Sequence, residues 1–358
     1  MGITILPKKY YDILDTQTAL LASIASKVGD GGIAIESVKD IQRLTRMGLA
    51  DKLFTEGDQF ITTLDGSTPV VVDIIGVGHD SPVAPQFKNS ITCQFHDRLF
   101  TAQFDQREAF YFAETELPAG TYHYGTETIR QFTLLSAVPE NGHIVINEEQ
   151  NKATVHSDAY TYDSLEVADI IEGSGGTELT ETNSINRRYG SNNYVTSAGR
   201  QYLNSGDTTF DWKPQHIYDR KPTDAPYAGP GFLARLDPEL VEVMGAVKKQ
   251  VTRNNVYEVE GTTGGQDLFE DRVFLLSQVE VALGSAGTTT GEKVYDYYKN
   301  AKNADRIKRL VGGSAGNWWL RSPHVSNSNR ARNVYSDGSL SSSSARDSYG
   351  FAPAFCIV

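Results

Sequence analysis

The stretch of sequence that decides the fold is the C-terminal run from Trp318 to Val358, WWLRSPHVSNSNRARNVYSDGSLSSSSARDSYGFAPAFCIV. Two apolar blocks, Trp318–Leu320 and Phe351–Val358, enclose a polar segment. Apolar runs of this kind are typical of buried strands. Inside the polar segment, Val334 and the Asp337-Gly338 pair predict a further strand and a hairpin turn. We therefore expect the loops of this region to be anchored at both ends.

The polar segment Arg321–Gly350 differs in composition from the rest of the chain. Ten of its thirty residues are Ser, and it contains no Lys, Glu, Gln, Met or Trp. It carries four Arg and two Asp, a net charge of +2 within a chain of net charge −12. A low-complexity linker would also be rich in Ser, but the two apolar blocks argue against a linker. Small polar, Tyr and Arg side chains held on a rigid scaffold are typical of binding loops.

The overall composition limits the function classes. The chain has 358 residues, 39% hydrophobic and 22% charged, which is a globular balance with room for two or three modules. Its acidity argues against nucleic acid as a partner. No apolar run reaches 18 residues, so we expect no membrane insertion. Asp12 and Asp15 before a short apolar run argue against a signal peptide.

No motif assembles an enzyme site. The two cysteines, Cys93 and Cys356, exclude a disulfide framework and a Cys-based zinc site, and we interpret them as separate buried thiols. None of the seven histidines has another at metal-motif spacing. Residues 312–316 match G-x-S-x-G, but no strand precedes them, so a Gly-rich turn is the better interpretation. We predict a non-enzyme with no metal and no cofactor, although a triad scattered along the sequence stays open.

The N-terminal segment, residues 1–54, is predicted to be helical. Apolar residues recur every three positions from Ile35 to Leu44, the stripe of an amphipathic helix, and an earlier helix is predicted over Thr16–Lys27. These helices either pack on the following domain or serve attachment or oligomerisation.

Residues 55–171 are predicted to be rich in strands. Phe60–Leu64 and Val70–Val77 flank the turn pair Asp65-Gly66, and Ile91–Phe100 is a further strand. Short strands at regular spacing predict an inserted antiparallel β module over about residues 105–165, with strands at Gly120–Tyr124, Gln131–Val138, His143–Ile146 and Ala153–His156.

Residues 172–358 are predicted to form the C-terminal domain. Its predicted helices are Ser197–Asn204, Asp237–Val251 and Val294–Leu310. Its predicted strands are Val273–Ser277, Trp318–Ser322, Ala331–Ser336 and Phe351–Ile357.

Several of these motifs carry a resemblance to a known family. Trp318–Pro323, Val334, Asp337-Gly338 and Gly350–Phe355 resemble the C-terminal region of the target proteins of diversity-generating retroelements, such as phage major tropism determinants. The resemblance extends upstream to Arg188–Asn192, Ser197–Ser205, Gly231–Leu233 and Asp271–Ser277. It implies an α+β chain whose C-terminal domain has a C-type-lectin-like fold, with a variable region over residues 318–358.

The resemblance also explains the unusual composition. In this family a retroelement miscopies adenines, typically in Asn codons that end in a pyrimidine, and such codons cannot encode Lys, Glu, Gln, Met or Trp. It therefore implies that sites matching an Asn-rich template vary and bind ligand: His324, Asn327, Asn329, Arg330, Arg332, Asn333, Tyr335, Ser341, Ser342, Ser343, Ser344, Arg346, Asp347 and Tyr349. The scaffold is then Trp318, Trp319, Arg321, Val334, Gly338, Pro353 and Phe355, with Arg321 as a structural ion-pair partner.

The function implied is ligand or receptor binding without catalysis, by a phage receptor-binding or tail-tip protein whose target is a host-surface protein or glycan. We further expect a virion partner for the N-terminal segment, self-association, and a location on the virion or another extracellular surface. The alternatives are a structural virion protein, a bacterial surface adhesin and an enzyme related to formylglycine-generating proteins. The last of these relies on a cysteine pair.

Overall fold

A computed structural model describes most of the chain. The described residues are 35–105, 109–113, 115–125, 128–147, 150–157, 163–179, 185–188, 191–213, 221–253, 265–284, 292–327 and 330–358. The helix predicted over Thr16–Lys27 and the candidate site Asn329 lie outside them.

The structure is mixed and mostly β, with 15% of residues in helices and 38% in strands. The α-helices are α1 (Val38–Arg46), α2 (Ala50–Leu53), α3 (Ala198–Leu203), α4 (Ala225–Ala228), α5 (Phe232–Arg235) and α6 (Pro238–Val243), with 3₁₀ turns at Asp296–Tyr298 and Asn303–Arg306. The α+β class predicted from the sequence agrees with this content.

The strands follow one another along the chain with few helices between them. They are β1 (Gln59–Leu64), β2 (Thr68–Val77), β3 (Ile91–Phe95), β4 (Phe100–Gln103), β5 (Ala109–Phe112), β6 (Gly120–Tyr124), β7 (Arg130–Leu134), β8 (His143–Asn147), β9 (Lys152–His156), β10 (Glu166–Asp169), β11 (Ile171–Glu172), β12 (Thr177–Glu178), β13 (Ile185–Arg188), β14 (Met244–Gly245), β15 (Val247–Thr252), β16 (Gln266–Asp271), β17 (Val273–Phe274), β18 (Trp318–Pro323), β19 (Arg330–Val334), β20 (Leu340–Ser344), β21 (Ser348–Phe351) and β22 (Ala354–Ile357).

The last strand lies at the centre of the first sheet. The order of that sheet is β1-β2-β3-β22-β14, and β17 also pairs with β22. Phe355 and Ile357 of β22 enter one hydrophobic core, which includes residues of α1, whereas Ala354 and Cys356 enter a second core on the other face. Burial on both faces explains why the sequence of this strand is continuously apolar.

The polar C-terminal segment folds into a second sheet of order β20-β19-β18-β21-β4. The predicted hairpin at Asp337-Gly338 is confirmed, because β19 and β20 pair antiparallel across it, with Val334 opposite Leu340 and Arg330 opposite Ser344. Gly338 has a φ of +83°, and a Cβ atom there would lie 1.7 Å from the carbonyl oxygen of Asn303. Only glycine fits this close approach.

The predicted β module has a hydrophobic core of its own. Its strands form two sheets, β10-β9-β8-β5-β13 and β11-β7-β6-β12. The core residues all lie between Tyr111 and Leu179, so the module extends beyond the predicted end near residue 165. The four strands predicted inside it are confirmed as β6, β7, β8 and β9, although β7 ends at Leu134 rather than Val138.

A capping box begins the first described helix. Ser37 is the N-cap of α1: its side chain accepts from the backbone N–H of Asp40, and the Asp40 carboxylate accepts from the Ser37 N–H at 3.1 Å. This reciprocal capping box stabilises the first turn. Val38, Ile41 and Leu44 are buried in the same core as β22, which is the packing role proposed for this segment.

Two predicted helices are wrong in part. In the span Asp237–Val251 the helix ends at Val243 and a strand begins at Val247, because Lys249 turns inward with the valines on either side and the alternation is that of a strand. Across Val294–Leu310 only two 3₁₀ turns form. The predicted strand Ile91–Phe100 is also divided, since β3 and β4 belong to different sheets.

Candidate functional site

The two adjacent tryptophans of β18 anchor the C-terminal sheet from opposite sides. Trp319 packs in the core that contains α1, and Trp318 packs in the core that contains Leu320 and Val334. Both are fully buried. The indole N–H of Trp318 donates to the Arg306 carbonyl and that of Trp319 donates to the Ala102 carbonyl, each at 3.0 Å. Strand alternation predicts this division between the faces.

Arg321 is the centre of a buried ionic network. Its guanidinium contacts the carboxylates of Glu280 and Glu292. Lys249 adds a second cation, 2.6 Å from Glu280 and 2.8 Å from Asp80. Burial alone would raise the pKa of Glu280, but the attraction of Arg321 and Lys249 outweighs it and holds that pKa below its ordinary value. Burial raises the pKa of Glu292, and the attraction of Arg321 only partly offsets it. The network joins β15, β18 and the loop that follows β17.

At the end of β19, one residue of the hairpin is buried and the next is exposed. Val334 is fully buried, whereas Tyr335 beside it is 48% exposed. The Tyr335 backbone N–H donates to the Ser339 carbonyl at 2.8 Å, so the turn is closed beneath the exposed ring. Tyr335 is accordingly available for contact with another molecule.

The fourteen candidate positions divide by exposure. Of the thirteen that the structure describes, eleven are exposed or half-buried: His324, Asn327, Arg330, Arg332, Tyr335, Ser341, Ser342, Ser344, Arg346, Asp347 and Tyr349. Their places in the fold are the β18–β19 loop, the two strands of the hairpin, its turn, the β20–β21 turn and β21.

Two candidate positions are buried, which corrects their prediction as contact residues. Asn333 is fully buried, and Ser343 is 9% exposed. The Asn333 Nδ2 donates to the Ser343 hydroxyl at 2.9 Å. The reason is strand alternation, because these side chains share the face of the hairpin that also carries Ala331 into the core.

This difference between neighbouring serines gives a stability prediction. We expect Ser343→Asn to lower the free energy of unfolding by about 1–3 kcal/mol, because the larger side chain must enter a filled interior. The matched variant Ser342→Asn, at a half-buried position, should change it by less than about 0.5 kcal/mol. Urea unfolding of the two variants measures the difference, and equal effects would show that both positions are surface sites.

A residue that the sequence did not single out as functional holds the β18–β19 loop. Asn192 is buried, and its Nδ2 lies 3.1, 2.8 and 2.8 Å from the carbonyl oxygens of His324, Asn327 and Arg330. One amide thus ties both ends and the middle of the loop to the body of the protein. Asn192 lies in a Gly-, Ser- and Asn-rich run that indicates only a loop, so its long-range contacts carry no local signal.

The two cysteines lie on neighbouring strands but on opposite faces of their sheet. Cys93 of β3 is in the core with Phe355, and Cys356 of β22 is in the core with Ala354. Both thiols are free and buried, and burial raises the pKa of each well above its ordinary value. This arrangement offers no support for the cysteine-pair chemistry of formylglycine-generating proteins.

The described part of the chain lacks two further kinds of functional feature. Within it, no group of three or more His, Cys, Asp or Glu side chains is placed to hold a metal ion. None of its helices has the length and apolar character needed to cross a membrane. The G-x-S-x-G match at residues 312–316 is a turn, in which Gly313 donates to the Leu310 carbonyl.

Comparison with known proteins identifies one family. No curated protein and no solved structure matches the chain. Residues 163–358, more than half of the chain, match the family described as "Domain of unknown function (DUF6273)", and this match covers β10 to β22, including both strands of the hairpin and the whole ionic network except Asp80. The chain therefore belongs to the DUF6273 family.

Proposed function

We propose that this protein binds a ligand, without catalysis, through the exposed positions of its C-terminal hairpin and loops. The observation that carries the proposal is the division of burial within one short segment, between buried scaffold residues and mostly exposed candidate positions. Trp318, Trp319, Arg321, Val334 and Phe355 are completely buried, while most of the candidate positions between them reach the surface. Side chains on such a surface can change without loss of the core.

The resemblance to retroelement-diversified proteins explains why buried scaffold residues and exposed candidate positions would be kept apart. It implies a C-type-lectin-like scaffold, with which the α+β class of the chain is compatible. A scaffold that varies its contacts needs fixed residues that supply stability and exposed ones that supply recognition. The absence of Lys, Glu, Gln, Met and Trp from Arg321–Gly350 supports the same interpretation.

The biological setting we propose is attachment of a phage to its host. The ligand is then a host-surface protein or glycan, and the protein is a receptor-binding or tail-tip component joined to the virion through its N-terminal segment. A bacterial surface adhesin would use the same binding face. A structural virion protein would instead cover that face with a neighbouring subunit.

Comparison of the gene among sibling genomes tests the proposal. We expect amino-acid differences concentrated at the exposed candidate positions, a nearby reverse-transcriptase gene, and an adenine-rich near-copy of the C-terminal coding segment. Differences spread evenly over the chain, with no such near-copy, would favour the structural virion protein.

Binding energy is expected to depend strongly on Tyr335. Tyr brings a rigid, amphipathic contact surface at low entropic cost, and exposed Tyr and Arg side chains commonly dominate an interface. We expect Tyr335→Ala to abolish binding to whichever component of a glycan array or panel of intact bacterial strains the wild-type chain recognises. Its melting temperature should stay close to that of the wild type, since the ring is half exposed.

The control for this variant is Leu135→Ala in the β module. Leu135 is 85% exposed and lies far along the chain from the hairpin, so its loss should leave binding intact. Loss of binding in Leu135→Ala together with full binding in Tyr335→Ala would assign recognition to the β module.

A further inference from the structure

Three basic side chains meet where β18 turns into β19. Arg330 and Arg332 are two residues apart on β19 and therefore project from the same face of the strand. His324 joins them, because its backbone N–H donates to the Arg330 carbonyl at 2.9 Å. We call His324, Arg330 and Arg332 the arginine cluster.

The arginine cluster is not neutralised by the described part of the chain. None of the ion pairs there includes any of its three members. The Nε of Arg332 and the Nδ1 of His324 are buried atoms without a hydrogen-bond partner in the structure. The Arg332 Nε–H is a buried donor, which costs free energy until a partner fills the site.

The electrostatics agree with an unfilled anion site. Burial and then the charge of Arg330 lower the pKa of Arg332. Burial followed by the charges of Arg332 and Arg330 lowers the pKa of His324. Each group thus responds to nearby positive charge, and among the described residues no carboxylate is a cause of either shift. This concentration of cations occurs in a chain whose net charge is −12.

The cluster is also held in place before any ligand arrives. Asn192 binds the carbonyls of both His324 and Arg330, which fixes the two ends of the loop. On β20, Ser342 lies opposite Arg332 and Ser344 lies opposite Arg330, so two hydroxyl groups share the face of the guanidinium groups. Donors fixed in this way bind without a further cost of ordering them.

We propose that the arginine cluster binds an oxyanion of the ligand, namely a carboxylate, sulfate or phosphate group. The planar fork of arginine matches the oxygens of such groups, and the bonds are strengthened by charge. The inference rests on the proposed function in one respect, since it names the chemical class of ligand for the same binding face.

Titration of the full chain with small anions tests this inference. Isothermal calorimetry and thermal unfolding are measured with sodium sulfate, sodium phosphate and sodium glucuronate, at an ionic strength kept constant with sodium chloride. We expect saturable binding and a raised melting temperature with at least one anion. The tightest of the three identifies the group as sulfate, phosphate or carboxylate.

Arg332→Gln should weaken that binding by roughly tenfold or more, because it removes charge-assisted bonds. It should not lower the melting temperature without anion, because it also removes repulsion between like charges. Arg309→Gln is the matched control, at an exposed arginine outside both the cluster and the candidate binding positions, and should bind as the wild type does. No saturable binding by the wild type, or equal binding by Arg332→Gln, would overturn the inference.

This test separates the two proposals. Anion binding that depends on Arg332, combined with evenly spread variation among sibling genomes, would retain the oxyanion site and reject the diversified face. Clustered variation without anion binding would do the reverse.

Discussion

Arg321→Met is expected to lower the free energy of unfolding by about 3–5 kcal/mol at neutral pH. The substitution removes the cation that lies between Glu280 and Glu292, both of whose side chains are 3% exposed. Glu292 loses its ion pair and Glu280 keeps only its pair with Lys249, so buried negative charge is left with less compensation for its cost of desolvation. Chemical denaturation followed by tryptophan fluorescence measures the effect.

The loss of stability in Arg321→Met is expected to depend on pH. Because the folded-state pKa of Glu280 lies below its ordinary value, its contribution to stability is present above the unfolded-state pKa and is lost as pH falls. The difference between wild type and Arg321→Met should therefore be greatest near neutral pH. It should shrink below about pH 4.5, where the unfolded-state glutamate takes up its proton.

Two further variants keep the test decisive. Arg321→Lys retains the charge but cannot bridge two carboxylates with a planar fork, so we expect a smaller loss. Arg253→Met breaks the ion pair with Asp267, in which the Arg253 side chain is 25% exposed and the Asp267 side chain is 24% exposed. It should lower the free energy of unfolding by about 1 kcal/mol or less. A cost for Arg321→Met that is no larger than this, or that is the same at pH 4 as at pH 7, would contradict the network's role.

Trp318→Ala is expected to cost about 3–5 kcal/mol of stability. The fully buried ring packs among Leu320, Val334 and Tyr298, and its N–H bond to the Arg306 carbonyl would also be lost. The cavity would lie directly beneath the hairpin. The two remaining tryptophans, both outside the β module, would report unfolding of the main body by fluorescence.

Trp212→Ala is the matched control, because Trp212 is a half-buried member of the same residue type. Trp212→Ala should lower the free energy of unfolding clearly less than Trp318→Ala does. Equal losses of stability in the two variants would show that burial of Trp318 does not contribute specially to the stability of the C-terminal sheet. Trp318→Phe, which keeps an aromatic ring in the cavity, should fall between wild type and Trp318→Ala.

Local patterns in the sequence were sufficient to predict turns and helix caps, because these elements depend on residues only a few positions apart. The Asp65-Gly66 turn has positive φ at both residues, as a tight hairpin requires, and β1 pairs with β2 across it. Ser37 and Asp40 form their capping box within four residues of chain. Val334 is buried as the last residue of β19, and Tyr335 is exposed because the Asp337-Gly338 turn begins there.

Long-range contacts decided the cases in which the local pattern was ambiguous. Leu240, Val243 and Val247 fit a helical stripe, but the Asp80 and Glu280 carboxylates draw Lys249 inward and favour a strand. Asn333 and Ser343 have the polarity of surface residues, yet they lie in the interior, where the Asn333 Nδ2 donates to the Ser343 hydroxyl. The amino-acid composition of a segment does not show which of its polar side chains will hydrogen-bond to one another.

The sequence by itself determined the hairpin, the two-sided burial of the tryptophans and the unusual composition between two apolar blocks. These depend on periodicity and turn chemistry, which act over a few residues. The tertiary structure alone decided that Arg321 meets Glu280 and Glu292, that Asn192 ties the β18–β19 loop, and that Arg332 and His324 meet without a counter-charge in the described residues. Such contacts join residues far apart in the chain, and only the packing of whole sheets brings them within bonding distance.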